Sequence, residues 1–252
     1  MLIVVAYHAL GQEPGPITVT SSRLEWDLTT LARRGFSFVS LDDCAAWLEG
    51  SASLPARAAC ITFDDGYTSV VRDALPLLVR LGVPSTVFLV ASRIGSDNRW
   101  PGQWAGVPPQ ALATEPQVRE WLAAGMTIGA HSHSHPVLTD LSDGALPHEV
   151  IESGDVLAQR FSTPVNHFAY PYGRRGPREV ALARQRYRTA VSAVPALVVP
   201  GAQPHDLPRL DAHDLYVALC LRLKDRRTLQ AYLAARRLAR GARRRLRPGG
   251  AA

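Results

Sequence analysis

Cysteine is scarce in this 252-residue chain, and no apolar run is long enough to cross a membrane. Cys44, Cys60 and Cys220 are odd in number, lie far apart in apolar sequence and show no Cys-x-x-Cys spacing. That excludes a disulfide framework and fits reduced core residues of an intracellular protein. The N-terminus lacks a basic leader, and Leu2-Ile3-Val4-Val5-Ala6 is too short for a signal peptide or a span. It reads as a first strand, and the expected location is the cytoplasm, peripheral at the inner membrane face. No internal repeat is present. With 46% hydrophobic and 20% charged residues, disorder is excluded and a packed core is expected.

Charge is unevenly spread. From Leu221 to Ala252 eleven basic residues face only Asp225, a net of +10, so the whole-chain +6 leaves residues 1–220 at −4. The basic balance therefore belongs to the tail and says nothing about what the body binds. The expected division is a catalytic domain over 1–220 and a basic helical tail over 221–252.

Within the body, apolar strand-like runs alternate with helix-period segments. Strands are expected at 2–6, 36–40, 58–63, 85–90, 126–129, 166–170, 188–192 and 197–199. Helices are expected from Ser21/Ser22 to Arg34, from Asp42 to Leu48, over 69–81, 117–124, 147–161 and 177–186, and around Leu215–Leu223 with Asp214 as a cap. The 69–81 helix accommodates Pro76 by bending or starting late. This rhythm predicts an α/β fold of parallel βα units, as a doubly wound sheet or a barrel, with chemistry at the carboxyl ends of the strands. Tyr7-His8, Asp64-Asp65, His131 to His135 and Pro171-Tyr172 all fall there. The segment 93–116 has no periodicity and is expected to be a long loop. Its Trp100 and Trp104, taken as exposed, either stack on a sugar ring or plug the surface.

Ile61-Thr62-Phe63-Asp64-Asp65-Gly66 ends a buried run in two adjacent carboxylates, which call for a cation. His131 to His135 is expected as the loop after the 126–129 strand; its outer histidines are four apart, a spacing that on one helical turn aims two rings at one point, and with Asp65 they make a two-histidine, one-carboxylate set. Such a set suits Zn²⁺ and is compatible with Fe²⁺, Mn²⁺, Co²⁺ and Ni²⁺. Asp64 beside it can act as a general base; a helix cap or a turn is the other reading of the pair.

Thr62-Phe63-Asp64-Asp65-Gly66, His131-Ser-His-Ser-His135-Pro136 and Phe168-Ala169-Tyr170-Pro171-Tyr172-Gly173 resemble, in order, three motifs of the polysaccharide deacetylases, carbohydrate esterase family 4. The resemblance covers about residues 1–212. It implies a distorted (β/α) barrel of about seven parallel strands, a carbohydrate substrate, and metal-dependent removal of an N-acetyl group from an amino sugar in a polysaccharide or a lipid- or nucleotide-linked precursor. By position it makes Asp64 the base, Asp65, His131 and His135 the metal ligands, and the Tyr172 N–H an oxyanion donor, with Pro171, Tyr7, Trp100 and Trp104 lining the substrate; His133 is a bystander.

Two departures stand out. Ala169 occupies the place of an arginine that tethers the base in many members, so Arg174 or Arg209 is expected to substitute. The late Leu-x-His motif is replaced by Leu207-Pro-Arg-Leu-Asp211. Together with Tyr7-His8, this resembles the poly-N-acetylglucosamine deacetylase branch and points to His8 as general acid, with His205 and His213 as alternatives. Competing functions are an O-acetyl esterase or sugar deformylase, and a catalytically silent glycan-binding barrel. In the tail, arginines with interspersed leucines suggest contact with an anionic membrane; nucleic acid would need the same charge but finds no reading motif.

Overall fold

The computed structural model describes residues 1–13, 15–104, 106–221 and 225–246, with side chains described as far as residue 239. In chain order the strands are β1 (Leu2–Tyr7), β2 (Ala9–Leu10), β3 (Thr18–Val19), β4 (Ser37–Phe38), β5 (Ala58–Phe63), β6 (Ser85–Leu89), β7 (Thr127–Ala130), β8 (His167–Ala169), β9 (Thr189–Val191) and β10 (Leu210–Asp211). The α-helices are α1 (Ser21–Arg33), α2 (Leu41–Leu48), α3 (Leu75–Leu81), α4 (Glu115–Ala123), α5 (Ser153–Phe161), α6 (Pro177–Arg186), α7 (Ala212–Cys220) and α8 (Arg226–Leu246).

Seven parallel strands run in the order β10-β1-β5-β6-β7-β8-β9, and β4 adds alongside the start of β5. The sheet curls into a half-barrel within a single α/β domain that ends in helices, as the βα rhythm and the resemblance imply. The stretch 207–211 spans its two edges: Leu207 bridges in parallel to Val191 of β9, and Leu210 pairs with Val5 of β1. Every residue of β1, β5 and β6 is buried, the pattern of parallel strands covered on both faces.

Alternation along the strands separates two apolar clusters. Ile3, Val5, Tyr7, Ala59, Ile61 and Phe63 pack outward with the helices. Leu2, Val4, Cys60, Phe88, Ala169, Val191 and Leu207 fill the inside of the curl, together with Cys44 of α2. Cys44 and Cys60 are thus free, buried core thiols, whereas Cys220 is exposed.

Local chemistry moves several boundaries. A π-turn over Val70–Ala74 precedes α3, so Pro76 falls in the first turn of α3, where its missing N–H is harmless. Thr20, not Ser21 or Ser22, caps α1. Residues 197–199 form no strand; Val198 makes a single antiparallel bridge to Leu2. Asp211 caps α7, while Asp214 is buried and accepts from Arg236 at 2.6 Å. Helix α8 therefore docks on the body, with Leu229 and Leu233 in the main cluster. Leu223 and the 222–224 junction expected to end the previous helix lie outside the described residues. Among the described residues no helix is long and apolar enough to cross a membrane.

Candidate active site

The alternation that buries Tyr7 against the helices sends its neighbour His8 inward, and on β5 it does the same for Thr62 and Asp64. Asp64 meets Arg209, which projects from the 207–211 stretch between inward-facing Leu207 and outward-facing Leu210. The guanidinium donates one N–H to each Asp64 oxygen, both at 2.7 Å. It also donates to Thr62 Oγ1 at 3.1 Å and, through Nε, to the Ser192 carbonyl at 2.9 Å. Both partners are buried, Arg209 to 2% exposure. Burial alone would raise the Asp64 carboxyl; the Arg209 charge, aided by His131 and His8, outweighs it and holds the group below the usual carboxylate range. His8 Nε2 lies 3.9 Å from Asp64 Oδ2 on the more open side. Arg209, rather than Arg174, thus makes the contact that Ala169 cannot, and its guanidinium sits 5.7 Å from the centre of the Phe88 ring in the inner cluster that also holds Ala169.

Asp65 turns the other way. Its φ of 68° lies in the left-handed region, which Asp tolerates better than most residues, and Gly66 follows at φ 78°. A Cβ on Gly66 would lie 2.6 Å from a Leu89 methyl, so the tight exit of β5 requires glycine. Asp65 Oδ1 comes within 3.4 Å of His131 Nε2 and 3.3 Å of His135 Nε2. One donor atom from each of the three residues lies within 4.8 Å of the others, and all three are buried. His131 Nδ1 pairs with the Ala169 carbonyl at 2.7 Å, which fixes the proton there and leaves Nε2 free to ligate. Burial would raise Asp65, yet the two imidazoles hold it well below its ordinary range. Burial opposes charge on both rings; the carboxylates outweigh it at His131, which is raised, but not at His135, which is lowered. Two buried carboxylates against one arginine leave negative charge beside two imidazole nitrogens, so the donor set fits a divalent cation.

His131 to His135 is not a helical turn but a loop with Ser132 at φ 65° and His135 at φ 66°. The fold, not helical spacing, converges the two rings. Trp100 and Trp104 are not alike: Trp100 is 4% exposed with its ring 4.1 Å from that of His135, whereas Trp104 is 49% exposed. Tyr172, at φ 57° in the turn that Pro171 opens, sets its ring 4.7 Å from His135, and burial with the Asp65 charge pushes its hydroxyl up to about 12.

A polysaccharide deacetylase family model matches residues 51–190, more than half of the chain. The chain belongs to the polysaccharide deacetylase family. Among family relatives, YxkH of Bacillus subtilis, described as a polysaccharide deacetylase, is 24% identical over 77% of this chain and 65% of its own length. The chain thus spans just under two thirds of that relative. The poly-β-1,6-N-acetyl-D-glucosamine N-deacetylase of Staphylococcus epidermidis is 22% identical over 77% of this chain and 67% of its own. In fold, the chain resembles IcaB from Ammonifex degensii with a TM-score of 0.72 at 24% identity, covering 83% of this chain and 90% of that one.

Of the residues singled out in the sequence, the fold brings together His8, Asp64, Asp65, His131, His135, Trp100, Pro171 and Tyr172. Tyr7 is not among them: it is buried outward, and its hydroxyl donates to Asp27 of α1 at 3.0 Å. His205 turns Nε2 to the Tyr187 carbonyl, and His213 is exposed on the first turn of α7. His133 stacks on His148, ring centres 4.2 Å apart. Glu149 escaped the sequence reading. It is buried on the π-turn His148–Glu152 and bonds the histidine loop, with no motif to announce it.

Proposed function

We propose that this protein is a metal-dependent carbohydrate N-deacetylase, hydrolysing the acetamide of an amino sugar in a glycan or a glycan precursor. One observation carries the reading: an Arg209-bound, ionised Asp64 stands next in chain to Asp65, which with His131 and His135 forms a buried three-ligand set. Asp65, His131 and His135 would hold a divalent ion, Zn²⁺ being the ion that the set suits first, which when bound would supply Lewis acidity and acidify water. Asp64, oriented by Arg209, takes a proton from the attacking water. The Tyr172 N–H donates to the oxygen that gains charge. His8 gives a proton to the departing nitrogen as the C–N bond breaks, leaving acetate and a free amine. Trp100 and Tyr172 wall the site around His135 and shield it from bulk water.

The test is mass spectrometry of a panel of N-acetylated sugars, lipid-linked ones included, scored for loss of one acetyl group and release of acetate. Cleavage of O-acetyl substrates alone would favour an esterase; bound sugar without cleavage or metal would favour a glycan-binding barrel. His131→Ala is expected to lose bound metal and turnover together, read by elemental analysis and the acetate assay, because it removes the ligand whose second nitrogen is already engaged by Ala169.

A second reading concerns α8. Beyond Arg236 its described side chains Arg237, Leu238 and Ala239 are exposed, Leu238 to 77%, and Arg240, Arg243, Arg244, Arg245 and Arg247 follow in the sequence. Such a helix suits an anionic lipid surface, at about 1 kcal/mol per arginine near it. Ending the chain at Leu238 spares the buried Leu229, Leu233 and Arg236 contacts. That variant is expected to lose binding to phosphatidylserine vesicles while keeping its thermal stability; equal partitioning with the full chain would end the idea.

A further inference from the structure

Left-handed backbone at non-glycine residues is uncommon, costs of order 1–3 kcal/mol each, and persists where surrounding contacts over-determine it. Four of the five such residues recorded here are Asp65, Ser132, His135 and Tyr172, all at the site. Two of them bend the loop that carries both histidine ligands, so something must hold that loop against relaxation.

Its backbone contacts give the answer. The His131 N–H pairs with Leu89 of β6, and the Ser132 and His133 carbonyls accept from the backbone of Ala91 and Ser92. The His135 N–H donates to Ser132 Oγ at 2.9 Å. The two amides in the middle, of His133 and Ser134, both donate to Glu149 Oε2 at 2.9 Å, and Ser134 Oγ donates to Glu149 Oε1 at 2.6 Å. Glu149 is 7% exposed. No ion pair to it is recorded among the described residues, so its carboxylate is spent wholly on the loop. It reaches there from a π-turn, an irregularity that recurs at functional sites because it re-aims side chains.

We propose that Glu149 is the positioning residue of the metal centre: it clamps the His133 and Ser134 amides so that His131 and His135 stay aimed at Asp65. The inference rests on the metal reading above. Without the carboxylate two half-buried amides and a hydroxyl lose their acceptor, the loop relaxes from its two left-handed residues, and His135, beyond the clamp, swings furthest.

The experiment loads the metal-free full-length chain with Co²⁺ and measures both the dissociation constant and the visible absorption of the bound ion. Glu149→Leu is expected to weaken Co²⁺ by roughly 10–100-fold, the range for losing a group that orients ligands, and to alter the absorption band. Glu149→Gln keeps an oxygen for the two amides and an amide group facing Ser134 Oγ, so it should bind within a few-fold of wild type with an unchanged band. Should Glu149→Leu fail to fold, Ser134→Ala replaces it, with an expected loss of a few-fold. Unchanged affinity and spectrum in Glu149→Leu, or in Ser134→Ala where that variant stands in, would overturn the proposal. So would equal loss in Gln and Leu, because Gln preserves the contacts. A wild-type chain that takes up no Co²⁺ would instead sink the metal reading.

Discussion

Asp64→Asn is expected to keep the wild-type metal content and lose turnover by roughly 10²–10⁴-fold, the usual contribution of a positioned general base. Asn matches Asp in shape, so the neighbouring Asp65, His131 and His135 are left undisturbed. What disappears is the group that accepts the proton of water. Arg209 is then left buried with a neutral partner, so the variant should also be less stable. Metal analysis and kcat on the same preparation separate the effects: normal metal with lost kcat supports the base assignment, and near-normal kcat would refute it.

Arg209→Met carries the second large effect, on stability as well as rate. Removing one partner of a buried pair strands the other, at a cost of about 3–5 kcal/mol. In a chain of this size that lowers the melting temperature by on the order of 10 °C. The pH dependence should change sign. In the wild type the Asp64 carboxyl is depressed, so its stabilising contribution is present above the unfolded carboxylate value and is lost as pH falls through the depressed one. Without Arg209, burial raises the carboxyl above its unfolded value. The contribution is then full at low pH and lost as pH rises through the raised value. Melting curves at pH 5 and pH 8 read this: the variant should be relatively worse at pH 8. The acid limb of kcat should move to higher pH, because the base must be ionised to act. A variant with a wild-type pH slope would show that Arg209 does not govern Asp64.

How far the sequence carried these conclusions differs residue by residue. The apolar run into Asp64 and Asp65 gave the strand, its burial and the need for a cation, since all three follow from local pattern. Tyr7 and His8 could not be told apart on pattern alone. Opposite faces of β1 take them, and which face is inner depends on how the sheet curls. Arg209 was one of two candidate tethers, because its bond to Asp64 spans 145 residues and depends on where the edges of the sheet meet. Trp100 and Trp104 read as equivalent in an aperiodic loop; packing against His135 buries only one. The His131–His135 spacing suggested a helical turn, yet the rings converge through left-handed residues that composition does not announce. Glu149 was invisible for a related reason: a π-turn shifts the helical register and so hides which residue faces the loop.

The meeting of the sheet edges at 207–211 also bears on how the protein is made. At 5–20 residues per second, a ribosome finishes Asp64 roughly 7–30 s before Arg209. Throughout that interval the nascent chain holds Asp64 without Arg209 and one sheet edge without its closing stretch. The guanidinium that pairs with Asp64 arrives with the same few residues that bridge the edges. A chain interrupted before 207–211 therefore lacks at once the partner of Asp64 and the stretch that bridges the edges.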